Sequence, residues 1–356
     1  MLGGPRFRCD RGGVFSGADL LARAVMLKYI DRFTLLLLAV IVVAVVAPID
    51  GTPAAVVQWI NEIAIAGLFF SHGAALSPES VRRGAGQWRL QVAILAMTFI
   101  VFPCVVLPVS WLAPVLLPAA LGTGFLYLGA LPSAVTSSIA FTAIARGNVP
   151  AAICGAAASN VFGMMATPFV FMLLAQSGGH AGLDVGHALI QIVIQLLLPF
   201  ALGQALRPWL AGFMDRHEKA AARYDRGVIL LIVYTAFSQF VASGYWRDTP
   251  AWALVAAVVI CSVLLAVMIS LAVGIARALR FSRADEAALL FCGSKKSLAS
   301  GLPMANVLFA HQPGLGLIIL PIMIYNQTQI IVGALIARRY ERKAVAEAER
   351  AGGVAS

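Results

Sequence analysis

The feature that most constrains this chain is a succession of apolar stretches, each about 20 residues long, the length a helix needs to cross bilayer hydrocarbon. No water serves backbone N–H and C=O groups there, so a spanning segment must be a helix or a strand of a closed barrel. The stretches place ten helical spans at approximately 33–50, 54–76, 89–110, 119–145, 149–175, 185–204, 227–243, 251–276, 286–310 and 315–337. Composition agrees: 12% of the residues are charged and mean hydropathy is +0.88, against about 25% charged in soluble domains. Phe33–Ile49 has a basic flank like a secretory leader but lacks a small-x-small cleavage site, so it reads as the first helix.

A formal net charge of +10 does not imply nucleic acid, because a nucleic-acid binder clusters its basic residues on an exposed polar face. Here they stand between apolar spans and set orientation, since short cytoplasmic loops carry the excess of Lys and Arg. Arg6, Arg8, Arg11, Arg23, Lys28 and Arg32 precede the first span; Arg82, Arg83 and Arg89 follow the second, and Arg146 the fourth. Arg207, Arg216, Lys219, Arg223 and Arg226 follow the sixth, Arg277, Arg280 and Arg283 the eighth, and Arg338, Arg339, Arg342, Lys343 and Arg350 the tenth. With the N-terminus inside, 23 of 26 basic residues are cytoplasmic and only Arg247 lies in an outside loop. The expectation is a multi-pass protein of the plasma (inner) membrane with both termini cytoplasmic. Its segments are an extension at 1–27 (Met26 an alternative start), a first repeat (helices 1–5) plus helix 6 at 28–204, a cytoplasmic loop at 205–226, helices 7–10 at 227–339 and a tail at 340–356. The anionic surface of the lipid bilayer is a sufficient partner for the basic segments.

One span breaks the pattern. Phe291-Cys292-Gly293-Ser294-Lys295-Lys296-Ser297-Leu298-Ala299-Ser300-Gly301-Leu302-Pro303 sets two lysines and three serines inside an apolar run. A lysine at bilayer depth costs roughly 2.5–3.5 kcal/mol, so it is paired, turned inward or placed against water. Gly293, Gly301 and Pro303 interrupt the helix, and unwound backbone survives at this depth only where protein or water covers it. The stretch reads as a broken helix lining a polar cavity. In a second reading the lysines snorkel to the cytoplasmic face, but that leaves only Ser297–Ala310, 14 residues, for the crossing.

Ten spans divide into halves of five. An odd number per half makes the halves enter from opposite sides, the inverted repeat of many secondary transporters, whose sites lie where corresponding broken helices meet. The fourth span is broken like the ninth: Gly129-Ala130-Leu131-Pro132-Ser133-Ala134-Val135-Thr136-Ser137-Ser138 puts a proline and a hydroxyl cluster in mid-run.

The candidate site for a small organic anion follows. Ser133, Thr136, Ser137, Ser138, Ser294, Ser297 and Ser300 are its hydrogen-bond donors, Lys295 and Lys296 its attracting charges, and half-helix N-termini add positive potential. Serine and threonine also cement helices or bond their own backbone, so each has a packing reading beside the binding one. Adjacent helical residues point about 100° apart, so one lysine can meet the cavity while the other meets a carboxylate or a helix C-terminus. A lysine amine can also carry a proton, which leaves the coupling ion as proton or sodium. Glu62, the most deeply placed carboxylate, serves a lysine, a proton or the substrate path in one reading and sits among outer headgroups in the other. Asn326 and Gln329, from the cluster Asn326-Gln327-Thr328-Gln329, line the cavity or glue helices. His72 reads as interfacial, and Asn160, Gln191, Gln195 and Gln239 as isolated packing amides.

Cys9, Cys104, Cys154, Cys261 and Cys292 lie far apart, and no two histidines stand at i, i+4, so no disulfide framework or metal site is expected. No paired carboxylates, nucleophile with base or nucleotide loop is found, so neither an enzyme, a cofactor nor a primary pump is expected.

At its two interrupted stretches the chain resembles the bile acid:sodium symporter family, most closely its sodium/bile acid cotransporter 7-like branch. Leu131-Pro132-Ser133, Ser137-Ser138-Ile139-Ala140-Phe141-Thr142, Ala145-Arg146-Gly147-Asn148 and Phe291 through Gly301 carry the likeness, which runs from about Met26 to Arg339. It implies an all-α integral membrane protein of ten transmembrane helices as two inverted five-helix repeats. These form core and panel domains, with broken helices 4 and 9 crossing in the core. Sodium-coupled members of the family carry Asn after Ser138, hydroxyls on the next helix, and Glu and Gln at the ninth-helix break. Here the matching positions are Ile139, Ala152, Ala156, Phe291 and Lys295. A hard cation needs oxygen ligands, so Lys295 or Lys296 is expected on ground that sodium holds in the relatives. The leading reading is a secondary transporter of an organic anion working by alternating access; the alternative is a membrane regulatory protein that keeps the transporter fold without transport.

Overall fold

The apolar stretches are helical in the computed structural model, which describes residues 32–75, 87–177, 190, 193–244, 247, 249–309, 312 and 314–352. The expected extension at 1–27 lies outside these residues. Among the described residues no strand occurs. The helices are α1 (Arg32–Val46), α2 (Gly51–Ala75), α3 (Trp88–Ala96), α4 (Phe102–Leu116), α5 (Ala119–Ala130), α6 (Val135–Ile144) and α7 (Val149–Ser177). They continue as α8 (Leu198–Arg216), α9 (Glu218–Ala242), α10 (Ala251–Ala278), α11 (Arg283–Gly293), α12 (Leu298–Leu308) and α13 (Leu315–Gly352). Short π-helical turns join α3 to α4 (Met97–Val101) and lead into α8 (Val193–Leu197).

Among the described residues seven continuous stretches are long and apolar enough to cross a bilayer, and α5 with α6, bent by 60°, makes an eighth. The helices α11 and α12, 11 residues each, and the apolar Phe33–Val46 of α1 are shorter than a crossing. The ten-span expectation therefore meets seven or eight candidate spans by length and composition. Residues 205–226, expected as a loop, are helical on both sides of His217. The Ala-rich run after Glu218 propagates helix directly into the apolar span.

Both interruptions have local causes. The residue before a proline avoids helical backbone, and Leu131, before Pro132, is extended (φ −69°, ψ 153°) and ends α5. In α12, Ser297 is extended and its Oγ accepts from Ser300 N–H at 3.2 Å, a side-chain cap that restarts the helix after the break. A third irregularity lies between α3 and α4. There Phe102 N–H bonds Met97 O, one residue further back than in an α-helix, and Pro103 has no N–H. Thr98 O is thereby released to another donor.

The α1–α2 pair is tied to α9 by polar bonds: Asn61 Nδ2 donates to Thr235 Oγ1 at 2.7 Å, Tyr234 OH to Ala47 O at 3.0 Å, and Tyr224 OH to Ala64 O at 2.8 Å. α2 and α8 approach through facing glycines. A Cβ on Gly73 would sit 2.1 Å from Phe200 O, and one on Gly203 2.1 Å from Phe70 O. Small residues that let backbones touch are the usual basis of helix association in lipid, where no hydrophobic force separates helix from solvent.

Gly203→Leu is expected to destabilise the protein by about 1–3 kcal/mol, the cost of overpacking, read as a lower unfolding temperature in detergent. Gly212, with no atom within 4 Å of a built Cβ, is the control, and Gly212→Ala should not lower it. Equal effects of the two substitutions would show that α2 and α8 do not meet this way.

Candidate functional site

A broken helix exposes backbone groups that must find partners. Here each break is completed by the other. At the α11 end, Cys292 O accepts from Ser133 Oγ at 2.6 Å and Phe291 O from Ser138 Oγ at 2.8 Å. At the α5 end, Pro132 O accepts from Ser297 N–H at 2.9 Å. The α5–α6 and α11–α12 helices therefore meet at their interruptions. Neighbouring helices fill the rest. Thr167 Oγ1 donates to Ala130 O at 2.9 Å, Tyr325 OH to Ser294 O at 2.6 Å and Tyr127 OH to Gly301 O at 2.6 Å. Gln329, fully buried on α13, grips the Lys296 backbone from both sides. Its Oε1 accepts from Lys296 N–H and its Nε2 donates to Lys296 O, both at 2.9 Å. Nε2 also donates to Asn326 Oδ1 at 3.0 Å.

The two lysines are 1% and 0% exposed, and they diverge. Lys296 Nζ donates to Leu131 O at 2.6 Å, Gly129 O at 2.9 Å and Thr98 O at 3.0 Å, with the Phe102 ring centroid 4.1 Å away. An ammonium has three donors, and all three are used. Two of the carbonyls are at the C-terminal end of α5, where the helix dipole favours a cation; the third is the one released by Pro103. The cage replaces hydration with carbonyl oxygens, as a channel filter does for an ion. Lys295 Nζ turns instead to Ser137 O at 3.3 Å and lies 3.5 Å from the centre of the Phe141 ring and 5.4 Å from that of Phe291, a cation–π setting.

A cavity of about 330 Å³, its wall more apolar than polar, opens beside the crossing, between α6, α7 and α12 on one side and α2, α8 and α9 on the other. Of the sequence-predicted residues, Thr136, Ser297 and Ser300 line it. Ser133, Ser138 and Ser294 are spent on backbone carbonyls, and Ser137 lends its carbonyl to Lys295. Gln329 and Asn326 lie behind the break, and neither ammonium is on the cavity wall. Glu62 is half-buried on α2 and not on the wall.

Three wall residues have stronger claims than their positions in the sequence suggested. Asn160 Oδ1 accepts from Ser300 Oγ at 2.6 Å, which positions it on the wall. On the opposite side His72 Nε2 lies 3.2 Å from Asp225 Oδ2. Asp225 was hidden in the supposed loop at 205–226; the signal that finds it is the unbroken helix-forming run from Glu218 into the ninth helix. The positions matched to sodium ligands hold no oxygen-bearing side chain, and Ala152, Ala156 and Phe291 are fully buried. No group of His, Cys, Asp and Glu fit to hold a metal occurs among the described residues.

Comparison with known proteins places these features in context. The profile of the SBF-like CPA transporter family matches residues 31–342. The putative symporter YfeH of Escherichia coli is 43% identical over 320 residues, 89% of this chain and 95% of that protein. An uncharacterized Pseudomonas aeruginosa protein is 44% identical over 314 residues, covering 88% and 93%. Sodium/bile acid cotransporter 7 of Rattus norvegicus is 26% identical over 294 residues, covering 81% and 85%.

Lys296→Met should destabilise the protein by at least about 2 kcal/mol, because buried carbonyls lose their donor. Lys295→Met, which frees one carbonyl, should cost less. Thermal unfolding of the two variants in detergent checks the order, and the reverse order would contradict the cage.

Proposed function

This chain belongs to the SBF-like CPA transporter family, and from that premise we propose that it is a secondary transporter carrying a small organic anion by alternating access through the cavity beside the crossing helices. The observation that carries the anion is the origin of that wall. Val135 and Thr136 open α6, while Ser297, Ala299 and Ser300 open α12, and all five line one cavity. Two half-helix N-termini thus converge there, and such ends favour negative charge. Thr136 and Asn160 supply the polar contacts. In this reading α5–α6 and α11–α12 are corresponding helices of two inverted five-helix repeats, with α1 and the α11–α12 pair counted among ten crossings. The panel is α1, α2, α8 and α9, and the remaining helices form the core. The protein sits in the plasma (inner) membrane with both termini cytoplasmic, as the distribution of basic residues favours.

Sodium is not needed in this scheme. The Lys296 amine, tethered by its own chain, occupies ground where relatives hold an exchangeable cation, and Lys295 brings a second amine behind the break. The relatives' names, putative symporter and sodium/bile acid cotransporter, make a bile acid a reasonable probe. The alkyl and aryl side chains at Ala152, Ala156 and Phe291 also suit a second reading, a membrane regulator that keeps the fold without transport.

Proteoliposomes separate the two. Labelled taurocholate and short mono- and dicarboxylates are offered with and without sodium. Sodium-independent uptake of at least one is expected, and Thr136→Leu should slow it about tenfold or more, equivalent to roughly 1.4 kcal/mol, without lowering the unfolding temperature. Strict sodium dependence would contradict the reading of Ile139, Ala152, Ala156 and Phe291, and no uptake or exchange of any probe would favour the regulator.

A further inference from the structure

We propose that His72 and Asp225 form the proton-binding pair that couples a pH gradient to transport; the inference rests on reading the cavity as the transport chamber. Among the described residues on the cavity wall, only these two can gain or lose a proton. They come from α2 and α9, the wall opposite the two half-helix N-termini. His72 Nε2 and Asp225 Oδ2 are 3.2 Å apart, while Asp225 Oδ1 is buried with no hydrogen-bond partner. A buried carboxylate oxygen without a donor is rare, and a proton bound there removes the unpaired negative charge.

The surrounding groups leave this role to the pair. The helices α6, α7 and α12 contain no acid, histidine, lysine or arginine, and α8 contributes Phe200 to the wall. Arg207 of α8 and Glu62 of α2 are not on the wall. On α9, Tyr224 OH donates to Ala64 O, Arg223 Nε to Lys219 O, and the Arg226 guanidinium lies over the Phe33 ring. Phe69 meets the imidazole edge-on at 6.1 Å between centroids. The two buried lysines face away.

Coupling follows from charge. In the deprotonated state the chamber presents a carboxylate to an incoming anion, and the repulsion is strong in a confined, weakly screened space. Once the pair has taken up a proton, the imidazolium or neutral carboxyl removes that barrier, and histidine suits such a change at physiological pH. By linkage, anion binding then favours proton binding to the same degree. The two travel together, the proton leaving the pair as the anion leaves the N-termini.

The test is the end-point accumulation ratio in proteoliposomes of the full chain, with labelled taurocholate and short mono- and dicarboxylates as probes and an acidic exterior. For one proton per monoanion the ratio is roughly tenfold per pH unit, since each 1.4 kcal/mol is a factor of ten. His72→Gln and Asp225→Asn should bring it to about one. A variant that is merely damaged reaches the wild-type ratio more slowly, so an unchanged ratio in either variant overturns the proposal. If both variants transport nothing, Asp225→Glu, which keeps the carboxylate, must restore the ratio, and its failure overturns the pair. Sodium-driven accumulation by wild type with no response to pH overturns the pair and leaves the transporter standing. No accumulation and no exchange of any probe overturns both.

Discussion

The structure depends on the mutual completion of two interrupted helices. Neither break could exist alone in a bilayer, because unwound backbone at that depth leaves N–H and C=O groups with nothing to bond. Ser133 and Ser138 serve the α11 end, Ser297 N–H serves Pro132 O, and the Lys296 ammonium collects the carbonyls of Gly129 and Leu131 that the end of α5 leaves over. Gln329 holds the lysine's own backbone in place. The result is a junction in which a lysine amine, tethered by its own chain, bonds the carbonyls left over at a helix C-terminus.

That junction shapes the chamber beside it. The C-terminal ends of α5 and α11 are filled from within, and residues of the first turns of α6 and α12 line the cavity. The wall is then electropositive through backbone dipoles, with hydroxyl and amide groups from Thr136, Ser297, Ser300 and Asn160. The opposite wall, α2 with α9, brings His72 and Asp225. Close approach of α2 to α8 through Gly73 and Gly203, with the bonds from α2 to α9, makes these helices a packed unit.

Much of this was legible in the sequence. Apolar length gave helical spans, and Pro132 and Gly293 marked the two breaks, whereas Gly301 and Pro303, also read as interruptions, lie inside α12 because the Ser297 cap restarts the helix ahead of them. The roles of individual side chains were less legible. Adjacent lysines gave no clue which would enter a carbonyl cage, because Thr98 O becomes available only through the combination of a π-turn and Pro103. Most of the serines proved to be backbone partners, since a hydroxyl inside a span has the same composition whether it faces a ligand or a helix end. Asp225 was obscured by its neighbours: a charged run ahead of an apolar one reads as a loop, although its alanines continue the helix. The ten-span count outran length and composition because α11 and α12 are short pieces that meet at a break, and because the apolar part of α1, Phe33–Val46, is shorter than a crossing.

The most direct measurement is an experimental structure of the full chain in a lipid nanodisc, resolved well enough to place the Lys296 side chain. The account requires its Nζ within hydrogen-bonding distance of the carbonyls of Thr98, Gly129 and Leu131, with no separate ion between them. A lysine swung out to the headgroups, or a metal cation occupying that cage in its place, would contradict it.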